Sequence, residues 1–379
     1  MSRQTRTCAK CPKAIYSDNQ TGLCRTCLNG LAHGVSPDAD PAAAVVADRE
    51  QQQERSRFLD LKKKYEESLR IIDRQNITLG WLDEIRKGVD STFHIEPKER
   101  GLSTNEATPI IVCSDWHSEE IVKPAQVNGL NDFNPDVEER RVTRLFQASL
   151  NLIKNHLNPG VSINTVVLAL LGDFITNDIH DAENAESNAM TPVFALMRVQ
   201  DQILKGIEFL LNNSPYDFII PCKVGNHSRT TKKVRSASEV GHSLETLMYA
   251  YLASNFKNEP RVKFVIDDGY HTYLTVYGKV IRFHHGHALQ YQGGIGGLFI
   301  PAYKAVSQWD KGRRADLDIF GHFHQTKDGG KFLCNGSLIG YNSFALRIKA
   351  DYEPPQQTLL LVDKKRGRTC TWPILLEKS

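Results

Sequence analysis

The sequence has no apolar run approaching the ~18 residues of a membrane span, and Met1 to Arg6 lack the apolar core of a signal peptide. A cytoplasmic protein is the expectation. There is also no strong charge imbalance: 47 Lys+Arg against 44 Asp+Glu give +3, too little for bulk electrostatics to argue nucleic-acid binding. Any such partner has to be read from local features. No Gly-x-Gly-x-x-Gly follows a strand, and the glycines at 293, 294, 296 and 297 read as a flexible loop, which excludes a dinucleotide fingerprint. Cysteine is sparse beyond residue 27, where Cys113, Cys222, Cys334 and Cys370 lie among apolar neighbours as reduced core thiols do. What remains is ordinary for a soluble globular protein, 40% hydrophobic and 24% charged, in 379 residues, enough for a large core and more than one folded unit.

The other four cysteines, Cys8, Cys11, Cys24 and Cys27, form two Cys-x-x-Cys knuckles separated by twelve residues. Each knuckle offers two thiolates to one tetrahedral zinc, and a segment this short has no core of its own without metal. Two disulfides are the alternative, and they require an oxidising compartment that nothing else in the sequence supports. Residues 1–34 are therefore read as a zinc-binding module whose partner is DNA or protein. Residues 35–107 read as a connector: a linker from Leu31 to Ala47, a charged helical stretch from Asp48 to about Gly88, and a polar stretch from Glu96 to Thr108. Phe58, Leu61, Tyr65, Ile72, Leu79 and Leu82 fall on heptad a and d positions, with Ser68 and Gln75 on two d sites. This fits a homodimer formed through the 48–88 helix or an amphipathic helix lying on its own catalytic domain.

From residue 108 the pattern becomes apolar strand, polar turn, amphipathic helix. Thr165 to Leu171 reads as a strand buried on both faces, broken by Gly172 so that Asp173 projects from its carboxyl end. Pro109 to Cys113 is a second such strand, followed by Asp115-Trp116-His117, whose Asp and His share one side if the backbone is extended. Helices are expected over Val137 to Leu157, Pro192 to Leu211 and Ser238 to Asn255. Asp217 to Val224 is a strand ending in Gly225-Asn226-His227-Ser228-Arg229, where Asn226 can ligate through its carbonyl oxygen and His227 can donate a proton. Arg229, Lys232 and Lys233 are a solvated basic turn unless a phosphate lies beside them. His180, in the loop after Asp173, reads as a solvated histidine or a substrate contact. Strands Tyr270 to Val276 and Val280 to Phe283 lead to His284-His285-Gly286-His287, and Asp316 to Phe320 leads to Gly321-His322-Phe323-His324. Histidines this dense at a strand end point to a metal. Phe332 to Asn335, Ser343 to Arg347 and Gln357 to Val362 read as strands of a second sheet layer, with an irregular chain end.

Taken in order, Asp115-Trp116-His117, Gly172-Asp173, Gly225-Asn226-His227, His285-Gly286 and Gly321-His322-Phe323-His324 resemble the calcineurin-like metallophosphoesterase superfamily, over roughly residues 108–350. The resemblance implies an α/β fold, a four-layer α/β/β/α sandwich, for residues 108–379. It implies a two-metal site in which Asp115, His117 and His324 hold one ion, Asn226, His285 and His322 the other, and Asp173 bridges both. His285 is chosen over His284 and His287 by the family's His-Gly pattern alone. Such a pair of ions clamps a phosphate and lowers the pKa of a bridging water until hydroxide forms near neutral pH. Manganese is the first candidate, with iron and zinc also suited to mixed oxygen and imidazole ligands. The resemblance gives His227 the role of assisting the leaving oxygen, and with a phosphate held there Arg229 and His287 are expected as its contacts. One departure stands out: Ser228 occupies a position where the family carries an acidic residue that orients the histidine. The runs Gly172 to Glu183 and Asn335 to Tyr341 resemble a phage- and prophage-encoded branch similar to DNA-repair nuclease subunits. A DNA nuclease is the reading adopted. A phosphomonoesterase or small-phosphodiester hydrolase with an N-terminal oligomerisation region, and a non-enzymatic phage assembly protein, stay open as alternatives.

Overall fold

In the computed structural model the N-terminal segment is built from local pieces. Thr5–Thr7 (β1) pairs antiparallel with Ala14–Tyr16 (β2), and residues 52–70 form a helix (α1). The residues described are 5–9, 11, 14–16, 23–25, 27, 49, 52–70, 93–95 and 105–377, the last without 158–160, 180–187, 236 and 291–296. The linker, all of the 71–92 stretch, His180 and the glycine loop up to residue 296 fall outside them. The chain divides into two units, Met1–Gly80 and Trp81–Ser379. Among the described residues no helix is long and apolar enough to cross a membrane.

The second unit runs Phe93–Ile95 (β3), Ala107–Cys113 (β4), Pro135–Asn151 (α2), Thr165–Leu170 (β5), Pro192–Asn212 (α3), Asp217–Cys222 (β6), Leu244–Asn255 (α4) and Val262–Ile266 (β7). It continues with Thr272–Val276 (β8), Lys279–Phe283 (β9), Phe299–Trp309 (α5), Leu317–Phe320 (β10), Lys327–Asp328 (β11), Phe332–Cys334 (β12), Ser343–Ile348 (α6), Gln356–Asp363 (β13) and Gly367–Leu375 (β14). Two six-stranded sheets result, one ordered β14-β13-β4-β5-β6-β7 and the other β11-β12-β10-β9-β8-β3. In the first, β4 to β7 run parallel, so their carboxyl ends share one edge. In the second, β9 and β10 are parallel neighbours and end together.

The period-2 alternation of these strands decides which layer each side chain enters. On β5, Val166, Leu168 and Leu170 pack in a cluster with Leu145 of α2, Val199 and Ile203 of α3, and Met248 of α4. The intervening Val167, Ala169 and Leu171 pack instead against Leu274, Ile281, Phe283 and Ile319 of the second sheet. Both faces are apolar because both are buried, each full-sized side chain stabilising by about 1.5–3 kcal/mol. Phe320 and Phe332 of the second sheet meet Ala302 of α5 in a separate cluster. Helix α2 starts where the sequence provides a cap: the Asn134 side chain accepts from the Asp136 and Val137 amides at 3.1 Å, with Pro135 in the first turn.

The carboxyl-terminal part departs from the sequence expectation. Ser343 to Arg347 alternates like a strand but folds as α6, because Asn342 caps it by accepting from the Ala345 amide at 3.1 Å. Gln356–Asp363 does not belong to the second sheet layer; it pairs antiparallel with β4 in the first sheet. The expected irregular chain end is β14, an edge strand, the place where Pro373 is tolerated since it cannot donate to a further neighbour. Helix α5 and strand β7 had no counterpart in the sequence reading, while α2 and α3 fall where their apolar periodicity put them.

Candidate metal and catalytic site

Each candidate ligand stands just beyond a strand. Asp115 and His117 follow β4, Asp173 follows β5, Asn226 follows β6, His285 follows β9, and His322 and His324 follow β10. The two sheets thus bring residues far apart in sequence to one end of the fold. Glycine permits the approach. A side chain at Gly172 (φ +85°) would lie 2.2 Å from the Gly225 nitrogen, one at Gly225 2.1 Å from an Asp173 carboxylate oxygen, and one at Gly321 2.2 Å from Asp115.

The extended-backbone argument for the Asp-x-His pair does not hold, and the His-x-His pair is not extended either. Asp115 (φ 56°), His117 (φ 50°), Asp173 (φ 53°), His322 (φ 73°) and His324 (φ 55°) are all left-handed. Such backbone costs non-glycine residues of the order of 1–3 kcal/mol each and clusters where function requires it. Tight turns aim these side chains into the site, while Trp116 between two of them turns into the core and meets Phe174 edge-on at 4.9 Å.

Three overlapping groups have ligand atoms within 4.8 Å of one another: Asp115, His117 and His324; His117, Asp173 and His227; and Asp173, His285 and His322. Asp173 belongs to two of the three. His117 Nε2 and His324 Nε2 face each other at 3.1 Å, and His324 Nε2 lies 3.6 Å from Asp115 Oδ1. His285 Nδ1 sits 2.7 Å from the Leu171 carbonyl, which only accepts, so Nδ1 carries a proton and Nε2 points at Asp173 Oδ2, 2.8 Å away. Ring nitrogens converging on one another and on carboxylates, inside a buried pocket, are the arrangement of a donor set for cations, so the residues present fit divalent metal. Asn226 is buried at the same edge.

Electrostatics favours ligation at three of the rings, with His285 the exception, held protonated by its carboxylate neighbours. Burial holds His117 and His322 well below the usual imidazole range and His324 down at about 3, which keeps these rings neutral, the form a metal binds. Burial opposes the charge on Asp173, but His285, His227 and His117 outweigh it and hold the carboxyl well below its normal value. Burial likewise opposes a charged His285, yet Asp173 and Asp115 raise it to about 10. Asp115 is pushed up to about 7, chiefly by burial and also by Asp173, against the pull of His285.

The remaining candidates separate. His284 faces away from the cluster, stacked on Phe320 at 4.9 Å and 3.5 Å from Asp318. His287 Nε2 pairs with Glu239 at 2.8 Å, its ring 6.3 Å from that of His322. Arg229 directs its guanidinium to the backbone carbonyls of Asn226, Thr231 and Lys232, so it braces its own turn. Lys232 and Lys233 are exposed.

Several supporting residues escaped the sequence reading. Glu245 on α4 is wholly buried and accepts from the Phe174 and Gly225 amides, both at 2.8 Å, tying the β5 and β6 turns together. Glu119 accepts from the Thr176 and Asn177 amides, and Asn335 donates to Ser114 Oγ at 2.9 Å, which donates to Asp115 at 2.5 Å. The adjacent Glu119-Glu120 pair, one residue beyond the Asp-x-His motif, was a readable signal. Glu245 had none, since nothing in the sequence places α4 beneath the site.

In the N-terminal unit the sulfurs of Cys8, Cys11, Cys24 and Cys27 all lie within 4.8 Å of one another, and none of the eight cysteines forms a disulfide. Four thiolates at 2.3 Å from one zinc would stand roughly 3.8 Å apart. The Cys24 amide donates to Cys8 Sγ at 3.1 Å.

No known family model matches the chain, and no curated protein is similar to it in sequence. Among solved structures it is similar to a hypothetical protein from Pyrococcus horikoshii OT3, at 11% identity and a TM-score of 0.35, covering 72% of this chain and 89% of that one. A putative 5'-nucleotidase from Staphylococcus aureus, in complex with alpha-ketoglutarate, aligns at 9% identity and a TM-score of 0.27, covering 72% of this chain and 55% of that one. The sulfate thiohydrolase SoxB of Thermus thermophilus aligns at 10% and 0.31, covering 73% of this chain and 58% of that one. The chain therefore spans little more than half of the last two proteins, and likeness at these scores carries no argument about activity.

Proposed function

We propose that this protein is a two-metal phosphoesterase of the calcineurin-like type that hydrolyses phosphodiester bonds, with DNA as its substrate. The observation that carries the reading is the convergence of Asp115, His117, Asp173, His285, His322 and His324, from four strand ends, into overlapping groups of metal-ligand spacing linked through His117 and Asp173. The apolar clusters on both faces of β5 support a four-layer sandwich over residues 108–379. Divalent ions held by these residues would supply Lewis acidity toward the phosphate oxygens and an activated water.

Asp173 serves both halves of the site, its position fixed by the His227 amide, which donates to Oδ1 at 2.8 Å. Asn226, buried at the same edge, would add a neutral oxygen. His227 is half-buried, and its Nδ1 lies 2.8 Å from the Thr176 carbonyl, so that nitrogen carries a proton, and a second proton held on Nε2 is the one that would pass to the leaving alkoxide. A main-chain carbonyl thus takes the place of the acidic neighbour absent at Ser228, whose hydroxyl lies 2.6 Å from Ser243 instead. His287, paired with Glu239, would be a phosphate contact at the rim, and Arg229 supports the turn that carries Asn226.

For DNA the support is local. The four-cysteine cluster is a zinc-type module of a kind that grips nucleic acid or protein, and α1 exposes Phe58, Leu61 and Tyr65, apolar positions open to self-association through the 48–88 stretch. The test is cleavage of single-stranded DNA, duplex DNA and an aryl phosphodiester by the full chain with manganese. Metal-dependent cleavage of DNA is expected. Hydrolysis of the aryl ester alone would move the substrate to small diesters, and no hydrolysis with manganese, iron or zinc would overturn the reading.

A further inference from the structure

The structure assigns Thr176 as a positioning residue that sets the metal-facing nitrogen of His117, with Glu120 anchoring the relay; the inference rests on reading Asp115, His117 and His324 as one half of the metal site. Thr176 is 2% exposed, and all of its polar groups are engaged. Its amide donates to both Glu119 oxygens at 2.9 Å, and its carbonyl accepts from His227 Nδ1 at 2.8 Å. Its hydroxyl lies 3.0 Å from His117 Nδ1 and donates to Glu120 Oε2 at 3.3 Å. A hydroxyl has one hydrogen. With that hydrogen on Glu120, the oxygen can only accept from His117, so Nδ1 is protonated and Nε2 is the bare nitrogen, the one 3.1 Å from His324 Nε2. Glu120 is itself fixed by Asn342 Nδ2 at 3.0 Å, so the relay ends on a held group.

One backbone turn therefore orients two histidines by different means. His227 is held by the main chain and His117 by a side chain, so a substitution can remove the second arm without the first. Thr176→Val keeps the shape and the carbonyl and deletes only the hydroxyl. A ligand that loses its outer partner costs about 10- to 100-fold in metal affinity.

The experiment titrates manganese into the metal-depleted full chain by calorimetry, with His324→Ala and His322→Ala assigning each binding event to its half. We expect T176V to weaken the His324-dependent event by about 10-fold or more and to leave the His322-dependent event in place. Thr176→Ser should restore the wild-type affinity, and Glu120→Gln should weaken the same event as T176V. Unchanged binding in T176V, or equal weakening of both events, overturns the relay while leaving the metal site standing. If T176V does not fold, E120Q against wild type decides in the same way. A wild-type chain that takes up no metal overturns the relay together with the functional reading beneath it.

Discussion

The four cysteines and the Asp-His centre are both donor sets, assembled in opposite ways. Cys8 to Cys27 lie within one short segment, and among the described residues their cluster contains little besides themselves and Leu23. The Asp-His set runs from Asp115 to His324 and rests on turns locked to two sheets by glycine contacts, backbone hydrogen bonds and buried carboxylates such as Glu245 and Glu119. A local set without a core depends on its metal to hold a structure, whereas a set mounted on strand ends is organised by the fold before any metal arrives. Metal removal should therefore unfold one and merely empty the other.

The largest effect expected from that contrast is on the cysteines. Cys8→Ser, or a strong chelator, should release one zinc equivalent and abolish proteolytic protection of the first residues, while the sheets of the second unit keep their circular-dichroism signal. Loss of both signals together would break the comparison, and failure to find zinc in the purified chain would remove the N-terminal site altogether.

Within the Asp-His centre, Asp173→Asn should lower diester turnover by about 10³-fold or more, because it disturbs both halves and several kcal/mol of charge stabilisation go with them. Asn226→Ala, which removes one neutral contact, should lose less. Equal losses with both metals retained would show that Asp173 is not shared.

His227→Ala should keep its metals and lose roughly 10²- to 10⁴-fold on a substrate with an alkoxide leaving group. An activated aryl ester needs less protonation, so there the loss should shrink. The same factor on both substrates would make His227 a positioning or ligand residue, in line with its spacing to His117 and Asp173.

The smallest effect concerns the fold's own preparation of the site. Burial, reinforced by Asp173, pushes Glu245 up to about 7, above the ~4.3 of an unfolded chain. Its protonated form is thus favoured in the fold, so its contribution to stability is full below the unfolded value and is lost as pH rises through about 7. Between about pH 5 and 8 the metal-depleted wild type should lose stability relative to Glu245→Gln, by on the order of 2 kcal/mol. Parallel melting curves across that range would show that Glu245 does not titrate there.

Sequence alone was sufficient wherever a signal is local. The knuckle spacing marks the cysteine cluster, apolar runs mark β4, β5 and β6, apolar periodicity marks α2 and α3, and Gly172, Gly225 and Gly321 mark turns where only a hydrogen fits. It was insufficient wherever two segments had to meet. His285 could not be told from His284 by spacing, and the fold turns one ring onto Asp173 and the other onto Phe320. Ser343 to Ile348 has strand alternation, yet a cap from Asn342 makes it helical. The left-handed turns that aim five of the candidate ligands, and the polar contacts of Thr176, Glu120 and Glu245 beneath them, arise from side chains and strand ends remote in sequence. Residue type and short-range periodicity are properties of the chain, whereas the direction of a buried side chain and the partner of its last free nitrogen depend on neighbours that only close packing supplies.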